Sequence, residues 1–187
     1  MEKKESKRKE LSEEIKLLDK VNAQLNGGIL TLKGEKGEVK RDFSDKKTTI
    51  EQKDNTIIIK AHKFSKVRKK LIKAYAVHVR NMIKGVQEAH KYVLKICSGH
   101  FPMNVAVGNN ELVVKNFLGE KVPRTLKLKE GATVKVEGDQ IIVESASKEI
   151  AGQVSADIEQ LTRRTGYDSR IFQDGIWIIN KDGKEIK

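Results

Sequence analysis

One cysteine in 187 residues, Cys97, excludes an internal disulfide and leaves no Cys-rich set for a zinc site. It reads as a half-buried strand thiol. Long apolar runs are missing too: the longest, such as Ala74–Val77 and Ile176–Ile179, fall far short of the roughly 20 residues of a membrane span. The opening Met1-Glu2-Lys3-Lys4-Glu5-Ser6-Lys7-Arg8-Lys9 has no apolar stretch, which argues against a secretory signal, and its acids argue against an organellar transit peptide. A reducing, cytoplasmic location without membrane contact is the expectation.

Catalytic patterns are equally scarce. The four histidines, His62, His78, His90 and His100, never adopt a metal-ligand spacing such as His-x-x-x-His beside a carboxylate. No Walker loop, nucleophile elbow or dinucleotide-binding glycine turn occurs. An enzyme is therefore not expected, nor a cofactor, a metal or a small-molecule substrate. Aromatic residues make up 5% of the chain and are not interleaved with basic residues, which disfavours the strand-borne stacking surface of single-strand RNA readers.

An internal repeat is present. Leu32-Lys33-Gly34-Glu35-Lys36-Gly37-Glu38 echoes Val114-Lys115-Asn116-Phe117-Leu118-Gly119-Glu120, and Thr49-Ile50 followed by Ile57-Ile58-Ile59 echoes Thr133-Val134 followed by Ile141-Ile142-Val143. In each copy a turn, Asp54-Asn55 or Gly138-Asp139, sits between two β-rich segments, which is hairpin grammar. Asn26-Gly27-Gly28 adds a hairpin between Val21–Leu25 and Ile29–Lys33, and Gly34-Glu35-Lys36-Gly37 reads as another hairpin turn.

A segment of helical periodicity follows each hairpin. In the first copy Val67, Leu71, Ala74, Tyr75, His78 and Met82 recur at three and four, predicting a helix over about 65–85 with these residues inward and His78 in the core. In the second, Ile150, Val154, Ile158 and Leu161 predict a helix over about 147–165, capped by Ser147 and closed by Gly166.

The fold class expected is thus α+β: two tandem copies of a two-layer unit, each an antiparallel-rich sheet packed on one helix. The boundaries are a charged N-terminal tail over 1–20, a first repeat over 21–87, a second over 88–181 and a tail over 182–187. Leu11, Ile15 and Leu18 within the first tail also suit a helix.

The formal charge of +12 and pI near 9.6 point to a polyanionic partner. The first 86 residues carry 23 Lys and Arg against 12 Asp and Glu, whereas the remainder carry 15 against 14. From Phe64 to Gly85 there is no acid at all. Lys66, Arg68, Lys69, Lys70 and Lys73, placed opposite the expected apolar face, therefore suit an external anion better than a merely solvated outer face, because no acids are there to pair with them. In the second copy Arg124, Arg163, Arg164 and Arg170 lie near expected turns or the helix end, where bidentate phosphate contacts need no large net charge. Arg163 and Arg164 suit equally a favourable interaction with the helix C-terminal dipole.

Asn81-Met82-Ile83-Lys84-Gly85-Val86, His100-Phe101-Pro102-Met103-Asn104-Val105, Asn116-Phe117-Leu118-Gly119-Glu120-Lys121, and the stretch from Gln160 through Arg170-Ile171-Phe172-Gln173-Asp174-Gly175-Ile176-Trp177-Ile178 to Lys181 resemble the universal large-subunit ribosomal protein six family. The archaeal and eukaryotic branch, called large-subunit protein nine in eukaryotes, fits best. Three positions depart from that signature: Arg164 where an aliphatic residue is usual, Tyr167 where a basic one is usual, and Trp177 where Tyr or Phe stands.

The resemblance implies a duplicated α/β unit that is a structural constituent of the large ribosomal subunit. It would bind rRNA near the sarcin-ricin loop, stalk base and translation-factor site, with neighbouring large-subunit and stalk-base proteins as partners and translational GTPases nearby. The alternative is a free-standing RNA-binding or ribosome-assembly protein of the same fold. The candidate RNA-binding residues are Lys69, Lys70, Lys73, Arg80 and Lys84 in the first copy, and Lys115, Lys121, Arg124, Arg163, Arg170 and Lys181 in the second. His100 is a further candidate, or else packs at the domain junction.

Overall fold

The computed structural model describes residues 11–18, 20–45, 48–53, 55–61, 65–168 and 170–186. The first ten residues, Asp54, His62, Phe64 and Lys187 lie outside them. The chain divides into two compact units between Glu88 and Ala89.

In the first unit β1 (Leu11–Lys16), β2 (Asn22–Asn26), β3 (Ile29–Gly34), β4 (Gly37–Asp42), β5 (Thr48–Lys53) and β6 (Thr56–Ala61) precede helix α1 (Lys66–Glu88). The strands make two antiparallel sheets, β1-β6-β5 and β2-β3-β4. Gly27 and Gly28 both have positive φ, at 57° and 92°, which is the backbone that a two-residue hairpin loop requires between Asn26 and Ile29. The β3–β4 connection is equally tight, with Gly34 opposite Gly37.

Residues 11–16, whose charge suits a tail and whose apolar spacing suits a helix, are instead strand β1, hydrogen-bonded along the whole of β6. Its burial alternates, with Ile15 inward and Glu14 and Lys16 outward, so period two and the open edge of β6 prevail over the helical spacing of Leu11, Ile15 and Leu18.

Helix α1 is turned relative to expectation. Ile72, Ala76, Val79, Met82, Ile83 and Val86 are buried, whereas Val67 is 75% exposed and Ala74 also faces solvent. At 3.6 residues per turn, two stripes displaced by one residue both repeat at three and four. The stripe with more branched aliphatic volume meets the sheets. His78 lies at the margin, its Nε2 3.3 Å from Arg41 Nη2, rather than in the core. The C-terminus of α1 rests on the β3–β4 turn: the Lys36 N–H donates to the Val86 carbonyl at 2.9 Å, satisfying one of the last-turn acceptors. Only glycine fits beside it, since a Cβ on Gly34 would lie 2.7 Å from the same carbonyl oxygen.

The second unit repeats this order as β7 (His90–Cys97), β8 (Asn104–Gly108), β9 (Glu111–Lys115), β10 (Arg124–Lys127), β11 (Ala132–Glu137), β12 (Gln140–Ser145) and α2 (Lys148–Leu161), then adds β13 (Gly175–Lys181) and β14 (Lys184–Glu185). Sheet β10-β9-β8 corresponds to β4-β3-β2. Sheet β11-β12-β7 corresponds to β5-β6-β1 and is extended beyond β7 by β13 and β14. All pairs are antiparallel. The core gathers Leu94, Leu112, Val114, Phe117, Ile141, Val143 and Ile176 from the sheets and Ala151, Val154 and Ile158 from α2.

Ser147 caps α2 by accepting from the Ile150 N–H, as expected. The helix stops at Leu161, ahead of Gly166, because Thr162 is drawn into the core: its buried hydroxyl accepts from the Ile176 N–H at 2.9 Å and donates to the Glu159 carbonyl. Residues 182–185 are not the expected tail but form a hairpin onto β13 through Asp182-Gly183, both at positive φ. That Asp-Gly pair is itself a strong hairpin signal.

Candidate nucleic-acid interface

Three loops meet at one end of the second unit: 98–103 after β7, 116–123 between β9 and β10, and 162–174 after α2. Phe117 anchors the middle loop in the core. To turn there, Asn116, Leu118 and Gly119 take left-handed conformations (φ 59°, 49° and 81°). For Leu118 this costs roughly 1–2 kcal/mol, a strain that persists only where surrounding contacts impose it. Asn116 Nδ2 donates to the Pro102 carbonyl at 2.9 Å, and Phe101 packs its ring over Gly119.

Arg124 locks this loop to the helix. Its guanidinium makes a bidentate pair with Glu120 (2.8 and 2.6 Å), donates to the Leu161 carbonyl at 2.7 Å, and stands 4.3 Å from the Phe117 ring centroid. The last turn of α2 thereby obtains the donor that its free carbonyls lack. The arginine holds Glu120 below the usual carboxylate range. Arg124 is accordingly engaged within the fold.

Asp174 links the other two loops. Its carboxylate accepts from the Gly99 N–H (2.6 Å), the His100 N–H (3.0 Å) and His100 Nδ1 (2.5 Å). Burial by itself would raise this pKa, but the backbone and imidazole donors of His100 and the Gly99 N–H outweigh it and hold the group below the usual aspartate range. The imidazole stacks on Phe172 (5.5 Å, 26°), Phe172 meets Tyr167 edge-on (5.1 Å, 85°), and the Arg164 guanidinium lies 3.9 Å from the Tyr167 ring and donates to its hydroxyl at 2.9 Å. Arg164 and Tyr167, two of the departures from the family signature, are therefore partners in one cation–π pair.

His100, Lys115, Lys121, Arg124, Arg163 and Arg170 all belong to this end. Lys115 is the last residue of β9, Lys121 is exposed on the loop, and Arg163 is exposed just past α2. The Arg170 side chain is 88% exposed and pairs with Asp168. Lys181 is not brought to them: β13 runs antiparallel to β7 from Gly175 opposite Cys97 to Lys181 opposite Tyr92, which puts Lys181 about 20 Å away along the strand.

In the first unit Lys69, Lys73, Arg80 and Lys84 form an exposed stripe along α1, with Lys70 beside it. Arg80 lies 3.4 Å from Glu13. No cluster of metal-ligating side chains occurs among the described residues.

The aromatics at this end carry no local signal in the sequence. Phe101, Tyr167, Phe172 and Trp177 are the exposed Phe, Tyr and Trp among the described residues, and every one lies at this end. They come from segments far apart in the chain, so no local interleaving announced them.

A family model described as ribosomal protein L6 matches residues 19–89 and 101–175. The chain belongs to the ribosomal protein L6 family. Its two matched segments fall one in each structural unit, in keeping with the duplication. Similar proteins include the large ribosomal subunit protein uL6 of Methanococcus vannielii, 40% identical over 94% of this chain and 97% of that one. Those of Methanosarcina mazei (39%, over 92% and 98%) and Sulfurisphaera tokodaii (38%, over 92% and 93%) carry the same name. The ribosomal protein L6 family is one of structural ribosome components and not of enzymes.

Proposed function

We propose that this protein is a structural constituent of the large ribosomal subunit that grips rRNA with the loop end of its second unit. The observation that carries this reading is the convergence of His100, Lys121, Arg163, Arg164 and Arg170 on one surface of a near-neutral unit, interleaved with exposed aromatics. Apolar patches exposed beside cations are interaction surfaces by their energetics, and arginine suits bidentate phosphate contacts.

The site lies near the sarcin-ricin loop, stalk base and translation-factor site of a cytoplasmic ribosome, where the protein steadies RNA beside translational GTPases and neighbouring proteins. Lys69, Lys70, Lys73, Arg80 and Lys84 supply a second, diffuse contact along α1. Lys115 supports the loop end, and Lys181 meets a separate stretch of backbone. Arg124 acts mainly by holding the loop that carries Lys121.

Sucrose-gradient fractionation of a native lysate at about 0.5 M salt tests this, because simple phosphate contacts weaken steeply there. One copy per large subunit is expected. Recovery in light fractions, or far below one copy, would replace this reading with a free-standing RNA-binding or assembly protein.

A further inference from the structure

Beside the aromatic ladder lies a cavity of about 380 Å³, at the small end of the roughly 300–1,000 Å³ of ligand pockets. Tyr167, Phe172 and Trp177 contribute π surface to its lining, and Leu118 and Ile176 contribute aliphatic surface. Tyr167, Phe172 and Trp177 are 46%, 39% and 37% exposed, so none is consumed by the core. Arg163 and Arg164 also line it. We propose that this cavity receives a single unpaired RNA base, stacked against the aromatics, while Arg163 and Arg164 hold the phosphates that flank it. The inference rests on the RNA-binding reading above and narrows it from backbone contact to capture of an extruded nucleotide.

Charge decides between a base and a phosphate as the occupant. Two carboxylates, Glu159 and Asp174, line the same cavity as the two arginines. A phosphate placed inside would face both acids. A neutral base would not, and its exocyclic amino group would find an acceptor in Glu159. Asp174 is already satisfied by Gly99 and His100, and Thr162 by Ile176 and Glu159, which leaves Glu159 and Gln160 as side chains able to read a base edge.

The Arg164–Tyr167 pair gives the floor its rigidity. A guanidinium held on the ring and bonded to its hydroxyl fixes the tyrosine before any base arrives, which lowers the ordering cost of binding. The occupied state then combines base–aromatic stacking with phosphate pairing, the mode by which unpaired nucleotides are held.

Trp177 is the chain's one tryptophan, so its emission reports directly on the cavity. The full chain is titrated with three RNA hairpins of equal charge: one with a single bulged adenosine, one with an abasic site at the bulge, and one fully paired. The bulged hairpin should bind about tenfold more tightly than the other two and alone quench Trp177. Tyr167→Leu and Phe172→Leu, which keep apolar volume but remove a ring, should each reduce the bulged hairpin to the affinity of the abasic one. Lys121→Ala should weaken all three alike and preserve their ratio.

Equal affinity for bulged and abasic hairpins, or no binding to any of them, would overturn base capture. Neither result would touch the ribosomal reading, because co-sedimentation with the large subunit is measured independently of which nucleotide is held.

Discussion

The two units solve one structural problem in two ways. Each must satisfy the carbonyls at the end of its helix, and each does so from the same loop of the repeat, β3–β4 in the first and β9–β10 in the second. The first unit uses a backbone N–H, that of Lys36 on Val86, which demands a two-residue hairpin and a glycine at 34. The second uses a side chain, Arg124 on Leu161, and a long arginine leaves room for the loop to grow over residues 116–123. The cavity and most of the exposed aromatics come from the segment that follows α2, which has no counterpart after α1 in the first unit, and the grown loop adds Leu118 to the cavity lining. Charge follows the same division: a lysine stripe that attracts any polyanion, against a few arginines held at fixed positions.

Breaking the second cap should have the largest effect. Arg124→Ala removes the Leu161 donor, the Glu120 pair and the Phe117 contact together, and should cost about 2–3 kcal/mol in denaturant unfolding followed by Trp177 emission, most of it from the lost bond to the Leu161 carbonyl and the ring contact. Gly34→Ala is the counterpart in the first unit. Forcing a Cβ against the Val86 carbonyl should cost about 1–3 kcal/mol, read as faster amide hydrogen exchange in α1.

Asp174 makes the loop end of the second unit sensitive to pH. Its carboxyl is held below the ordinary aspartate value, so its stabilisation is complete above about pH 4 and is lost as pH falls through the lowered pKa. Asp174→Asn should cost about 1–2 kcal/mol at pH 7 and far less at pH 2, measured by Trp177-monitored unfolding at both values.

The smallest effect concerns sequence-independent affinity. Replacing Lys69, Lys70 and Lys73 by Gln should weaken every RNA alike and flatten the dependence of log affinity on log salt, by up to about 0.7–0.9 per phosphate contact removed. Salt titrations of wild type and variant against one hairpin would read this slope.

Local signals made much of the scaffold legible. Asn26-Gly27-Gly28 and Gly138-Asp139 announced their turns, Ser147 its helix, and the echo between Lys33 and Lys115 the duplication. Phase was harder, because Val67 and Ala74 share with Ile72 and Val79 the same spacing, and only the facing sheets select between the stripes. Strand β1 was hidden by its charge, since Glu14 and Lys16 read as tail until β6 supplies a partner. Lys121, Arg163 and Arg170 were legible one by one as cations near turns or the helix end, but not as members of one surface. His100, Tyr167 and Phe172 meet only after Asp174 ties the first loop to the last. Composition could not reveal that the exposed aromatics among the described residues gather in one place.

On the proposed reading the loop end of the second unit, and not the lysine helix of the first, is the principal grip on rRNA. Ultraviolet cross-linking of purified large subunits, with the cross-linked peptides mapped by mass spectrometry, tests it directly. Peptides containing His100, Lys121 and Arg163–Trp177 should dominate, with a minor contribution from 66–84. Cross-links concentrated on α1 and absent from those three loops would contradict that reading.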